Sequence, residues 1–593
     1  DKLPEVIKTQ AYLDQNWPVT FSEIKDFISK HPRNIEKRRL KIRAEYLINE
    51  SVSYEDMVGW LEEKKILTPN GYKWYAFAKS KTSYDKLLVS KAVQSGWIYG
   101  RFSADEMKNY YQKFSNFISQ KNHQHKMEYL LDQRYLEEAK ILMPYLKGEE
   151  KKIYEVRLAI IQKELNADLL LKKIPLKDYT EGLVYDYLEA NKTQKPTTKS
   201  INLFKYGISD KKNADKWLKL QLYYAREFFD YDEFKSAYKL LKINLAANTT
   251  DVKEIQWLAG WTSLRHLKRT DLAIKHFSKF LSQATTPISI ARGNYWLARA
   301  LQAEQKYPES KQYYNKAKKH GHTYYGQLAS IALGSDRIYL PADYQVKKPL
   351  DELINQDIHL KTINLLIEYN LNNIAVNYAK TYISINKNKD KIAAAVHLIA
   401  KNSINHHSVA VAKLASHKHV FMKNYLYPRP RINVEIPIDK ALTYAVIRQE
   451  SLFDQYAISN ANALGLMQIW EPGACKVAEK IRMSCTIPNL TKSSDYNIKF
   501  GTNYLKYLLD ERSGSYILAL ASYNADAKVV TKWTERFGNP TKTRYINNAI
   551  DWVELVPYAE TRNYLQRVIE NVQVYHSVIN GDRKLGIKKY LLG

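Results

Sequence analysis

Ala445-Val446-Ile447-Arg448-Gln449-Glu450-Ser451 opens the last quarter of a 593-residue chain, and its reading decides what the rest must be. Leu442, Ala445, Val446 and Gln449 recur three and four apart, so 439–451 predicts a short amphipathic helix with Glu450 in its last turn. A carboxylate is badly placed there. The negative end of the helix dipole and partial burial both disfavour ionisation, so the group is expected to stay protonated and to serve as a general acid near neutrality. Taken alone, such a glutamate is most often a solvated surface group.

The residues that follow change that balance. Gly465-Leu466-Met467-Gln468, Ala521-Ser522-Tyr523-Asn524-Ala525 and Val556-Pro557-Tyr558-Ala559-Glu560-Thr561-Arg562 come after Glu450 in that order. The set resembles the catalytic domain of the soluble lytic murein transglycosylases, a family with a goose-type lysozyme fold, over about the last third of the chain. The resemblance implies one catalytic glutamate, Glu450. It would protonate the glycosidic oxygen between MurNAc and GlcNAc, then take the proton of the MurNAc 6-hydroxyl as that oxygen closes a 1,6-anhydro ring.

The same resemblance gives the neighbours their roles. Ser451 would hydrogen-bond beside the acid, Met467 and Gln468 would line the sugar sites, and the Tyr523 hydroxyl would approach Glu450. Asn524 would hold the sugar or its loop, Tyr558 would form a wall, and Glu560 would face the oxocarbenium-like centre or pair with Arg562. From the residues alone a two-carboxylate glycosidase stays open, because Asp454, Glu471, Asp510, Glu511, Asp551 and Glu554 are also at hand. The family pattern decides against it. No metal or other cofactor is called for. Three positions depart from the family: Asn462 and Leu464 stand where it has glycine and a small residue, and Asp526 replaces a glycine. Trp470-Glu471 also lengthens the link to Pro472. Asn and Asp tolerate positive φ better than other side chains, which would let the backbone survive.

Upstream the chain repeats. Trp217-Leu218, Trp257-Leu258 and Trp296-Leu297 are each expected to open a helical pattern, followed about half a repeat later by a second helix around Phe234-Ala237-Tyr238, Ala273-Phe277 and Ser310-Tyr314. A period of roughly 40 predicts a two-helix solenoid whose tryptophans are core. Tyr324-Tyr325-Gly326-Gln327-Leu328-Ala329 closes the array. Before it, residues 1–200 read as helices such as 84–97 and 127–146, with Trp60, Trp74 and Trp97 between them. After it, 350–425 forms another helical block whose His406, His407, His417 and His419 lack flanking ligands. Tyr427-Pro428-Arg429-Pro430 ends that block.

These readings give an all-α protein. The expected domains are a helical superhelix over 1–349, a helical linker over 350–426 and a lysozyme-like catalytic domain over 427–593. Only 20 glycines and 18 prolines agree with few tight turns. Lys and Arg exceed Asp and Glu by 29, spread along the whole chain and without zinc-finger, RNP or Walker patterns. That surplus suits an acidic polymer such as peptidoglycan better than a specific nucleic acid. There is no run of 18 apolar residues. Cys475 and Cys485 lie close together without zinc-ligand spacing, and an oxidising compartment would make them a disulfide. The expected setting is therefore the periplasm of a Gram-negative bacterium, for a processed monomer that acts on glycan strands and meets cell-wall synthesis or hydrolysis proteins. A hydrolytic muramidase, an inactive sugar-binding scaffold and a nucleic-acid binder are the competing readings. The array is expected to steer substrate and the last domain to carry the chemistry.

Overall fold

The computed structural model describes residues 3–63, 65–206, 214–243, 250–401 and 405–593. The protein is 70% helical, and among the described residues thirty-five α-helices accompany one two-stranded sheet. Among those residues no helix is long and apolar enough to cross a membrane. The chain divides into two compact units, Asp1–Tyr223 and Tyr224–Gly593.

In the first unit, Trp60 and Trp97 are core and Trp74 is half-buried. The predicted helix 84–97 is Lys86–Tyr99, started by Asp85, whose carboxylate accepts from the Leu87 and Leu88 amides. The predicted helix 127–146 is two helices, Gln120–Asp132 and Leu136–Leu142. Arg134, at φ 60°, turns the chain between them, a break that the apolar pattern does not announce.

The second unit begins with the repeats. Thr250–Arg265 pairs with Thr270–Ser282, and Pro287–Ala303 pairs with Tyr307–Lys318. Trp257 and Trp296 are fully buried and meet edge to face, with ring centroids 5.8 Å apart. A left-handed residue joins the two helices of each pair, Lys268 in the first and Gln305 in the second, and Asp232 does the same between Ala214–Phe229 and Phe234–Leu241. Trp257 and Trp296 stand mid-helix and do not open their helices. Those turns lie 268 − 232 = 36 and 305 − 268 = 37 residues apart, so the structural repeat is slightly shorter than the sequence suggested. Tyr324–Ala332 ends the array.

Five helices from Leu350–Gln356 to His406–His417 follow. Their histidines are half-buried or exposed, and His419 shares a hydrogen bond with the Thr285 carbonyl. No helix lies between Leu426 and Lys440. That extended stretch is tied down when Tyr575 donates to the Pro428 carbonyl and Arg429 to the Val578 carbonyl.

The last segment is built on two helices in contact, Lys440–Ser451 and the 22-residue Ala559–Asn580. The second is the centre of the fold here, because nearly every residue from Thr561 to Tyr575 is buried. A helix buried all round carries polar side chains only where partners wait for them.

Candidate active site

The helix that carries Glu450 starts as its sequence requires. Asp439 caps it, accepting from the Ala441 and Leu442 amides at 2.7 and 3.1 Å. It ends abruptly at Ser451, because Leu452 and Phe453 are both left-handed, at φ 51° and 69°. Two consecutive side-chain-bearing residues in that region are strained, and the strain sits directly behind the glutamate.

The Gly-Leu-Met-Gln turn is fastened to this helix end by single side chains. Ser451 Oγ donates to the Leu466 carbonyl at 2.8 Å, and Tyr523 Oη donates to the Met467 carbonyl at 2.8 Å. Asn497, fully buried on Ser494–Glu511, accepts from the Met467 amide at 2.8 Å and donates to the carbonyls of Leu464 and Leu490 at 3.0 and 2.8 Å. Gly465, at φ 75°, cannot carry a Cβ, which would strike the Leu490 carbonyl and the Asn497 amide. One turn beyond Asn497, Gly501 leaves room for the Met467 sulfur. The turn is flanked by strands Ala463–Leu464 and Ile469–Trp470, paired antiparallel.

Glu450 is half-buried by surface exposure. Burial pushes its pKa up to about 8, the nearby Glu560 carboxylate adds to the rise, and the Tyr564 hydroxyl opposes it. Tyr564 Oη is buried with no hydrogen-bond partner of ordinary geometry among the described residues, which leaves it free to act on the Glu450 carboxyl. Tyr523 is also within electrostatic reach of Glu450, although its hydroxyl donates to the Met467 carbonyl, and Tyr564 is a second phenol beside the acid. Burial beside Glu450 holds both phenols well above their ordinary pKa.

The site brings together Glu450, Ser451, Gln468, Tyr523 and Asn524. Gln468, at φ 49°, donates to the Ala457 and Gly465 carbonyls. With Tyr523 and Asn524 it lines a cavity of about 320 Å³ whose far wall is Trp470, Tyr504 and Asp526. Asn524 accepts from Thr561 Oγ1 at 2.8 Å, which joins the Tyr-Asn-Ala motif to the helix that carries Glu560. Met467 is 0% exposed and offers the site its backbone. Tyr558 stands apart from the cavity, 54% exposed, with its ring edge-on to Trp533. Arg562 does not pair with Glu560 but donates to the Val556 and Pro557 carbonyls.

The departures resolve differently. Asn462 does take positive φ, at 59°. Asp526 does not: at φ −70° it caps the helix Ala527–Phe537 and accepts from the Lys528 amide, so it replaces a glycine as a cap and not as a turn. Leu464 is buried in its strand, and Trp470 is 57% exposed at the cavity wall. Cys475 and Cys485 are joined in a disulfide just beyond.

Sequence reasoning missed Tyr564, Asn497 and the pair Leu452–Phe453. Tyr564 had a usable signal, since it lies four residues after Glu560 and so shares its helix face. Asn497 had none beyond its spacing of four from Gly501.

Residues 434–546 match the transglycosylase SLT domain family. The soluble lytic murein transglycosylase of Escherichia coli K12 is 25% identical over 305 residues, 49% of this chain and 44% of that protein. The chain thus spans about half the length of the curated relative it matches. Among solved structures, a lytic transglycosylase from Pseudomonas aeruginosa superposes with a TM-score of 0.69 at 18% identity, covering 98% of this chain and 92% of that one. The 70 kDa soluble lytic transglycosylase of E. coli gives 0.57 at 16% identity, covering 100% and 92%. The chain is therefore a helical-array protein bearing an SLT-type transglycosylase domain. Over about half of its length it is similar to the soluble lytic murein transglycosylases.

Proposed function

We propose that the protein cleaves the β-1,4 bond between MurNAc and GlcNAc of peptidoglycan and leaves 1,6-anhydroMurNAc ends. The observation that carries this is a glutamate in the last turn of its helix, fastened through Ser451 to the Met467 turn and with its carboxyl pKa pushed up to about 8 by burial, within the matched domain. Glu450 gives its proton to the glycosidic oxygen as the bond to the MurNAc C1 breaks. The resulting carboxylate, stabilised by Tyr564, takes the proton of the 6-hydroxyl as O6 bonds to C1. No water enters, and the glutamate ends protonated as it began. The nucleophile is part of the substrate, which gives it a high effective concentration.

Gln468, Tyr523 and Asn524 hold the sugars, Glu560 faces the positive charge that develops at C1, and Ser451 and Met467 keep the turn in place. Tyr558 acts as an outer wall. Residues 427–593 carry the chemistry, 350–426 link, and 1–349 handle the strand, whose acidic stem peptides suit the surplus of 29 positive charges. A disulfide fits an oxidising compartment, which supports a periplasmic setting. Mass analysis of products from purified sacculi tests the reading: anhydro ends are expected, and free reducing ends would make the protein a hydrolase instead.

A further inference from the structure

Two residues apart on an α-helix is a rotation of about 200°, so alternate residues face nearly opposite ways. On Ala559–Asn580 this separates two stripes. Glu560 and Tyr564 lie within electrostatic reach of Glu450, on the helix that packs against Lys440–Ser451. Gln566 and Glu570 lie on the other side, and there they meet the end of the array.

The contacts are specific and dry. Gln566 Nε2 donates to Tyr325 Oη at 3.2 Å and to Glu554 Oε1 at 3.1 Å, while Tyr325 Oη itself donates to Glu554. One turn on, the Glu570 carboxylate accepts from the Tyr324 amide at 2.6 Å, and its backbone carbonyl accepts from Gln327 Nε2 at 3.0 Å. Tyr325, Gln327 and Glu554 are each at most 1% exposed. Earlier repeats brace the neighbouring helix Ile546–Leu555 with arginines. Arg226 donates to the Glu554 carbonyl at 2.8 Å, and Arg265 donates to Asp551 at 2.6 Å. Arg292, chelated by Glu254 at 3.0 and 2.9 Å, lies 3.9 Å from the Glu554 carboxylate.

We propose that the closing motif of the array, Tyr324-Tyr325-Gly326-Gln327, is a positioning element of the catalytic site, setting the rotation and height of Ala559–Asn580 so that Tyr564 and Glu560 meet Glu450. Two anchors one turn apart fix both coordinates, where a single anchor would leave the helix free to roll. Buried polar groups enforce the setting, because any slip leaves a carboxylate or amide without a partner. A roll of about 10° moves a phenol tip by about 1 Å, an error that costs up to about a hundredfold in rate. The array then does more than steer substrate. This inference rests on Glu450 being the acid.

The test uses the full chain and purified soluble muropeptides. Tyr325→Phe removes the hydroxyl of the first anchor, and Gln327→Met removes the side-chain half of the second at similar volume. Each is expected to lower kcat about ten- to hundredfold with KM within about twofold, in protein whose circular dichroism is unchanged. Tyr564→Phe is expected to lower kcat as well. Tyr325→Phe added to Tyr564→Phe is then expected to cost little more, because both act on one contact. Unchanged kcat in both folded anchor variants, or fully additive losses, would overturn the proposal. A second readout needs no turnover, namely NMR titration of the Glu450 carboxyl in glutamate-labelled protein. Tyr325→Phe is expected to move its midpoint in the direction that Tyr564→Phe does, and a midpoint that stays put overturns the positioning role. If wild-type protein makes no anhydro ends, the function proposed above falls, and the titration still decides this one. Should Tyr325→Phe fail to fold, Gln327→Met decides on the same criteria.

Discussion

The repeats and the turn around Met467 bury their backbones by opposite means. In the repeats, regular helices satisfy their own amides, and periodic tryptophans fill the space between them, as Trp257 and Trp296 do. In the turn, the chain runs through left-handed residues at Asn462, Gly465 and Gln468, where no ladder is available. Its carbonyls and amides are satisfied one by one, by Ser451, Asn497 and Tyr523. The comparison teaches where precision resides. Periodic packing tolerates small shifts, whereas each single-residue tether specifies one geometry.

The largest expected effect lies at the site's chemistry. Glu450→Gln keeps the volume and removes the proton donor, so cleavage of sacculi is expected to fall by about 10²- to 10⁴-fold or more, with sugar binding retained. Turnover near the wild-type rate would remove Glu450 from its role. Next, Trp257→Ala opens a cavity in the array and is expected to cost about 3–5 kcal/mol by urea denaturation. Because the loss is one of packing, the pH at which activity declines should stay where it is. A shifted pH profile would mean that the repeats and the site differ less than the contrast above asserts.

Asn497→Leu tests the other half of the comparison. It has nearly the same volume but strands the Met467 amide and two carbonyls, so about 2–4 kcal/mol of stability is expected to be lost. Unlike the tryptophan variant, it should lower kcat in the molecules that remain folded. A variant of unchanged kcat would show that the turn does not need its tethers to hold Gln468 and Tyr523 in place.

The same contrast explains what was legible in advance. Helix 439–451 announced itself through apolar spacing of three and four and an aspartate cap, and it forms over Lys440–Ser451 with Asp439 at its cap. The repeats were legible because one unit recurs. Neither signal exists for Asn497, whose partners lie 7 to 33 residues away in sequence and whose choice is dictated by which carbonyls are left over. Asp526 was misread as a turn residue because asparagine and aspartate favour both left-handed turns and helix caps, and only the backbone at φ −70° separates the two. Tyr564 was missed as a second phenol beside the acid because it stands outside the motifs that pointed to Tyr523, and only its place on the helix of Glu560 could have drawn attention to it.

The smallest effect is on stability. Glu450 has a folded pKa of about 8, above the value of about 4.5 expected when exposed. Below pH 4.5 both states hold the proton and the residue is neutral to stability. Between 4.5 and 8 the unfolded chain ionises while the folded one stays protonated, so the unfolded state gains and stability falls as pH rises. Above 8 both are ionised and the loss is complete. Glu450→Gln has no such proton. Its stability relative to wild type should therefore rise across that window, by about 2 kcal/mol once the partial exposure of Glu450 is allowed for. Urea midpoints measured at pH 5 and at pH 8.5 read the difference. Equal differences at the two pH values would mean that the carboxyl titrates normally in the folded protein, which would break the link between burial at the helix end and a glutamate kept ready to donate.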